Sequence, residues 1–215
     1  MSGPIRADEV GQTRGERKER TRRAILNAAL ALCEESSLVA LSLRQVAKQV
    51  GIVPTAFYRH FDSIESLGLA LVDESFVSLR AMLRDVRRHD PTYRDIVDQS
   101  VDTLVTHVLK ERQHFQFIVR ERAAGPLAVR AAIRHQIELC ERELATDLAR
   151  LPGTDTWSPE HLQVLSSLIV TAMVATAEDI VVAAGRPDAE RVVAERARVQ
   201  LRMVIIGARQ WRSAP

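Results

Sequence analysis

The chain has 215 residues, 46% of them hydrophobic, 27% charged and 4% aromatic, with a formal net charge of +2. That length can bury a sizeable core and fits one small plus one larger domain, or a single merged body. Two distant cysteines, Cys33 and Cys140, match no metal or redox spacing and read as reduced thiols, which excludes a disulfide framework.

Residues 1–13 form a polar, Gly- and Pro-containing tail, expected to be disordered and lacking the apolar core of a signal peptide, so a cytoplasmic location is expected. Residues 14–23 hold six Arg and Lys against two Glu, a local +4 that exceeds the charge of the whole chain. Residues 1–61 carry ten basic and six acidic side chains, whereas the remainder carries twenty basic and twenty-two acidic. A basic N-terminal third on a nearly neutral body is the electrostatic footprint of a nucleic-acid binder. The plainer reading is a solvated helix face with Glu–Arg pairs at helical spacing.

Residues 42–61, SLRQVAKQVGIVPTAFYRHF, are the most informative stretch. Ser42 followed three residues later by Gln45 has capping-box spacing, which predicts a helix from Leu43. Its apolar positions Leu43, Val46, Ala47 and Val50 share one face. Gly51 ends it, since glycine takes a left-handed conformation without steric cost. Ile52 can plug the space between two helices, Val53 and Pro54 suit a first turn, and Phe57 and Phe61 form an inward anchor four residues apart. Thr55, Ala56, Tyr58, Arg59 and His60 are left facing outward, where a recognition helix meets base edges and phosphates. Two short helices around a glycine occur in any helical bundle. The Tyr-Arg-His cluster tips the balance, because Tyr and Arg donate well to phosphates and bases.

Leu43 to Val50, Gly51, then Phe57, Tyr58, His60 and Phe61, followed by Ser63, Glu65 and Leu67, resemble the TetR-family DNA-binding domain over about the first third of the chain. PTAFYRHF, LGLALVDES at Leu67 to Ser75 and VRER at Val119 to Arg122 resemble one branch, the acyl-CoA-responsive repressors of unsaturated fatty-acid synthesis of the DesT and FabR type. The resemblance implies an all-α fold: a three-helix helix-turn-helix domain, residues 14–62, and a larger ligand-binding and dimerisation domain, residues 63–215. It implies a homodimer on a palindromic double-stranded DNA operator and a fatty acyl-CoA as regulatory ligand; no other cofactor, no metal and no membrane partner is expected. Arg44 then matches an arginine that reaches a base or phosphate, Thr55 and Ala56 the start of the reading helix, and Tyr58 and His60 phosphate-contacting positions. Arg59 occupies a variable position, and Ser42 stands with the set at the start of the first helix. Many members carry a lysine at the start of the fourth helix; here that residue is Ile64, so no phosphate contact is assigned there.

Beyond residue 62 the chain reads as helix after helix, giving about nine in all, no strand and no internal repeat. Asp62 and Ser63 open one that runs to about His89, Asp90 with Pro91 opens the next, and Gly125 with Pro126 breaks another. Ser158 with Pro159 starts a long helix ended by Gly185, and Pro187 begins the last. The most apolar run, Leu162 to Ala177, is interrupted by Gln163, Ser166, Ser167, Thr171 and Thr176 and falls short of the roughly twenty residues of a membrane span. The helix from Ser158 is apolar nearly all round, which requires cover on more than one side. The last helix carries Val192, Val193, Leu201, Val204, Ile205 and Ile206, read here as one apolar side opposite a charged stripe. An isologous dimer through these two helices is expected.

The sensing pocket is the least legible part. Phe76, Leu83, Phe115, Phe117, Ile118, Val129, Ile133, Ile137, Val170, Met173 and Val174 recur at helical spacing and are candidates for its lining, although each would be core in any bundle. Low aromatic content suits an aliphatic acyl chain, and Arg120, Arg122, Arg130 and Arg134 around Pro126 either meet CoA phosphates or are surface charges paired with Glu121 and Glu138. An enzyme is poorly supported: His60, His89, His107, His114, His135 and His161 form no metal spacing and accompany no nucleophile motif. His114 near Arg120 and Glu121 is the one cluster of interest. The alternatives are a repressor sensing another hydrophobic ligand such as a drug, or an acyl-CoA-binding protein without DNA function.

Overall fold

Thr13 starts the first helix: its hydroxyl accepts from the Glu16 N–H while the Glu16 carboxylate accepts from the Thr13 N–H at 2.8 Å. The computed structural model describes residues 13–88, 96–150, 153–154 and 157–211, with the side chains of residues 78 and 81–88 outside the description. Among the described residues there are nine α-helices and no strand. They are α1 (Arg14–Leu32), α2 (Leu43–Val50), α3 (Pro54–Phe57), α4 (Ile64–Arg88), α5 (Ile96–Lys110), α6 (Arg112–Ala124), α7 (Leu127–Leu148), α8 (Pro159–Ala183) and α9 (Pro187–Gln210). A short 3₁₀ turn, Leu38–Ala40, joins α1 to α2. The expected tail falls largely, and the Asp90–Pro91 helix start wholly, outside the described residues.

One apolar core runs through the junction of the N-terminal helices with the body. It gathers Ile25 and Leu30 of α1, Leu38, Val46 of α2, Phe57 of α3, Leu67 and Leu71 of α4, Phe117 of α6, and Val129 and Ile133 of α7. The core therefore does not stop at residue 62. Gly68 in α4 allows the closeness: a Cβ there would overlap the Leu38 side chain and lie 3.1 Å from Val129 Cγ2.

In the body, α8 packs on α5, α6, α7 and α9. Helix α8 is long and apolar enough, by length and composition, to cross a membrane, which corrects the reading of its central run as too short. The core helix of a helical bundle has the same composition, and Leu162, Leu165, Ala177 and Ile180 are buried in this one. Helix α9 divides differently from expectation. Leu201 is buried, Val193, Val204 and Ile205 are half-buried, and Val192 and Ile206 are exposed with Val199 and Met203. The apolar residues thus occupy two faces of α9, because Ala194 and Ala197 take the innermost positions.

Candidate nucleic-acid interface

Both capping-box bonds of α2 form: Ser42 Oγ accepts from the Gln45 N–H at 3.2 Å, and Gln45 Oε1 accepts from the Ser42 N–H at 2.8 Å. Val46 and Ala47 are buried, Gly51 sits at φ 76°, and the Ile52 N–H donates back to the Ala47 carbonyl. These bonds fix the angle at which α3 leaves α2.

Helix α3 is a single turn. It holds its place because Phe57 is fully buried and packs on Phe61, with ring centroids 5.8 Å apart. The Arg22 guanidinium of α1 lies 4.9 Å above the Phe61 ring, so the basic first helix is seated on the same aromatic pair. Tyr58, Arg59 and His60 follow in a tight turn, with the His60 N–H donating to the Phe57 carbonyl at 2.8 Å.

Arg44, Thr55, Tyr58 and Arg59 are each exposed, Tyr58 at 58%. Ser42 is exposed too, its oxygen accepting the Gln45 N–H of the cap and its hydroxyl proton left to donate. Ala56 and His60 are half-buried rather than fully outward, because the turn after Phe57 tucks the imidazole against α1. Its Nδ1 is buried and without a hydrogen-bond partner among the described residues. Burial, then Lys18 and Arg22, lower the His60 pKa from 6.5, with Glu19 opposing and Arg59 adding to the effect. Lys18 and Arg22 are thus the two cations of the charge run whose field reaches the His60 imidazole. Val53, which precedes the first residue of α3, is 64% exposed. Ile64 packs half-buried against the core.

Helix α6 grips the other side of the unit. Arg120 donates from Nη1 to the Cys33 and Ser36 carbonyls at 2.5 and 2.7 Å, and from Nη2 to the Glu34 carbonyl at 3.0 Å, closing the C-terminal end of α1. Gln116 donates to the Glu34 carbonyl at 3.2 Å, and Gln113 meets the Glu34 carboxylate. Next to them Glu121 is fully buried: one oxygen accepts from the Leu38 N–H at 2.8 Å and the other has no partner among the described residues. Burial raises the Glu121 pKa, against the Leu38 hydrogen bond and Arg120. The same burial, with Glu121, pushes the Cys33 thiol up to about 12, against Arg120, so Cys33 is an inert buried thiol. Arg120, expected near a ligand, is thus occupied by backbone, and Arg122 pairs with Glu178 rather than Glu121.

His114 Nδ1 lies 2.8 Å from Ser75 Oγ, whose hydroxyl has the Leu71 carbonyl at the same distance. Ser75 donates to that carbonyl, leaving the imidazole as donor to the serine oxygen. That pairing ties α4 to α6 and activates no nucleophile.

The other ligand candidates divide three ways. Phe76, Phe117, Val129 and Ile133 fill the junction core, with Ile118 and Ile137 packed half-buried against it. Phe115 and Met173 pack in a second cluster around Val108 and Ile180, and Val170 and Val174 are half-buried on α8. The Leu83 side chain lies outside the described residues. A cleft of about 570 Å³ opens instead beside the α6–α7 corner, lined by Arg122, Leu127, Arg130, Arg134, Ile137, Glu138 and Glu141. Of the candidate apolar lining, Ile137 reaches it.

Residues 25–71 match the family of bacterial regulatory proteins described as the tetR family. The fold is shared with a transcriptional regulator (TerR/AcrR family) from Aquifex aeolicus VF5, at TM-score 0.65 and 17% identity over 86% of this chain and 99% of that one. A transcriptional regulator from Rhodococcus sp. Rha1 aligns at TM-score 0.60 and 20% identity over 92% and 99%. The fatty acid degradation regulator FadR from Bacillus halodurans aligns at TM-score 0.68 and 12% identity over 84% and 94%. At such identities the likeness concerns the fold, while the matched segment spans the capped α2, the Gly51 turn and the Phe57–Phe61 anchor. Residues 25–71 thus carry a domain similar to that of the tetR family of bacterial regulatory proteins, in a chain whose fold transcriptional regulators share.

Proposed function

We propose that the chain is a homodimeric repressor of a palindromic operator, and that a fatty acyl-CoA held in its body sets the operator affinity, placing unsaturated fatty-acid synthesis or desaturation under its control. The observation that carries the DNA-reading part is the exposure of each of Arg44, Thr55, Tyr58 and Arg59 on a unit whose inner face is fully packed, with the field of Lys18 and Arg22 reaching His60. Removing the Arg44 side chain, or the Tyr58 hydroxyl in Tyr58→Phe, should weaken operator binding by about 1–3 kcal/mol per lost contact. Gel shifts at two salt concentrations measure it, and Arg44→Ala should also flatten the salt dependence. Wild-type affinity in both variants would remove these residues from the interface.

His60 adds a pH dependence of definite sign. In the free protein its pKa lies below 6.5, and an arriving phosphate raises it, so binding takes up a proton. Operator affinity should rise as pH falls through the titration of His60, and His60→Gln should flatten that rise. Fluorescence anisotropy with a labelled operator between pH 5.5 and 8 reads the slope.

The dimer reading rests on two outward apolar stripes. Val164, Leu168 and Val182 on α8 and Val192, Val199, Met203 and Ile206 on α9 are each at least 47% exposed, and most are spaced by four, seven or eleven residues. Such stripes on adjacent helices match a four-helix contact between two copies. Leu168→Glu combined with Ile206→Glu should leave a monomer in sedimentation and lower affinity for a two-half-site operator at least about tenfold, through loss of the tethered second head. A dimer persisting in that variant would move the interface elsewhere.

The effector part is supported by the 4% aromatic content, which suits an aliphatic ligand, and by the sharing of this fold with a fatty acid degradation regulator. Such a ligand would act by selecting one setting of α4 and α6 relative to α1, and hence one spacing of the heads, near 34–36 Å on one DNA turn. Operator titrations with and without oleoyl-CoA and palmitoyl-CoA test it, and unchanged affinity with both would remove it.

A further inference from the structure

We infer that the cleft at the α6–α7 corner is a binding site for an amphipathic anion, its acidic head on Arg130 and Arg134 and its alkyl part on Leu127 and Ile137. This deepens the effector reading above and rests on it only for the consequence at the operator, not for the site itself.

The cleft is about 570 Å³, large enough for a head group and a short run of chain. The charges around it are unequally satisfied. Arg122 is paired with Glu178, and the Glu141 carboxylate is turned toward α8, accepting from Ser167 Oγ at 3.2 Å and Gln163 Nε2 at 3.5 Å. Arg130 and Arg134, one helical turn apart and both exposed, have no acid within ion-pair distance among the described residues; Glu138, a turn further along α7, remains to be displaced or screened. Two guanidiniums one turn apart make a fork for a carboxylate or phosphate. Beside them Leu127 is 71% exposed, an unusual exposure for a leucine in a helix whose Val129 and Ile133 are fully buried. Cations next to uncovered aliphatic surface select a ligand that carries both features.

The position of the cleft gives occupancy a route to the reading head. Arg122 follows directly on Glu121, whose carboxylate holds the Leu38 N–H, and a Cβ at Gly125 would come within 2.7 Å of that carboxylate. Gly125 and Pro126 form the corner between Arg122 and Leu127, so a ligand that draws α7 toward α6 presses on the clamp that holds α1.

Isothermal titration with decyl phosphate, decanoate, decyltrimethylammonium and inorganic phosphate, each below its micelle concentration, tests the site. Decyl phosphate and decanoate should bind, the cation should not, and inorganic phosphate should bind at least tenfold more weakly than decyl phosphate. The relative affinity of the first two tells a phosphate head from a carboxylate. Arg130→Ala with Arg134→Ala should lower both affinities at least tenfold, and Leu127→Gln should reduce the gain from the alkyl chain; both lie on exposed helix surface, and an unchanged melting temperature checks the fold. Binding of decyltrimethylammonium as tight as decyl phosphate, or wild-type affinity in the double arginine variant, overturns the site. Palmitoyl-CoA separates the two readings. If it binds the double variant as it binds wild type while decyl phosphate does not, the cleft stands as an anion site and the acyl-CoA is held elsewhere; if decyl phosphate binds the cleft and palmitoyl-CoA does not bind at all, the site stands and the acyl-CoA reading falls.

Discussion

Phe57→Ala should be among the most damaging single substitutions in the chain, costing about 3–5 kcal/mol and abolishing operator binding. Phe57 is fully buried, closes the one-turn helix α3, and packs edge-on to Tyr58 at 6.1 Å and tilted on Phe61 at 5.8 Å. A helix of one turn has no stability of its own, since nucleation fixes several residues for a single hydrogen bond. Its geometry is borrowed from that ring. Without the ring, Tyr58, Arg59 and His60 lose the backbone that points them outward, and the seat of Arg22 on Phe61 loosens with it. Because the same core continues into α4, α6 and α7, the cost should appear in the unfolding of the whole chain. Urea denaturation should show a midpoint shift, with a melting temperature lower by roughly 10 °C. Phe57→Leu, which keeps most of the volume, should lose about 1–2 kcal/mol and retain measurable operator affinity. A Phe57→Ala protein that melts with wild type and still binds its operator would mean that α3 is ordered by something other than this anchor.

What was legible in the sequence follows the range of the interactions. Ser42 with Gln45, Gly51, and Phe57 with Phe61 are local signals, three or four residues apart, and the structure forms every one of them. Thr13 with Glu16 carries the same signal, at a spacing identical to that of Ser42 and Gln45, and caps α1 in the same way. Helix α9 was harder, because periodicity tells that a helix has apolar faces but not how many neighbours it has; the alanines at 194 and 197 decided which face went inward. Arg120 and Glu121 were beyond reach: their partners lie more than 80 residues away on backbone atoms, and no side-chain pattern marks a carbonyl as an acceptor. The arginines around Pro126 looked like one group and are three, clamping α1, pairing with Glu178, and standing open on the cleft.

Glu121 sets the second large effect. Glu121→Ala would leave the buried Leu38 N–H without an acceptor and open a void between α6 and the Leu38 turn. The orphaned amide alone costs about 1–3 kcal/mol, and the void adds to it. Glu121→Gln keeps an acceptor for Leu38 and cannot ionise, so the pair separates the role of the hydrogen bond from that of the charge. Burial raises the Glu121 pKa above its ordinary 4.5, so its contribution to stability is fully present below that value and is lost as pH rises toward the folded-state pKa. The melting temperature of Glu121→Gln relative to wild type should therefore climb from pH 4.5 to pH 8, while that of Glu121→Ala stays below Glu121→Gln throughout. A flat difference across that range would mean that the carboxylate ionises at its ordinary pKa and that Arg120 offsets its burial. The same variants bear on regulation, since Glu121 links the α6–α7 corner to the turn before α2. If the clamp couples body and head, Glu121→Ala should weaken whatever change an effector makes in operator affinity more than it weakens affinity itself. An equal loss in both would mark Glu121 as a stability contact alone.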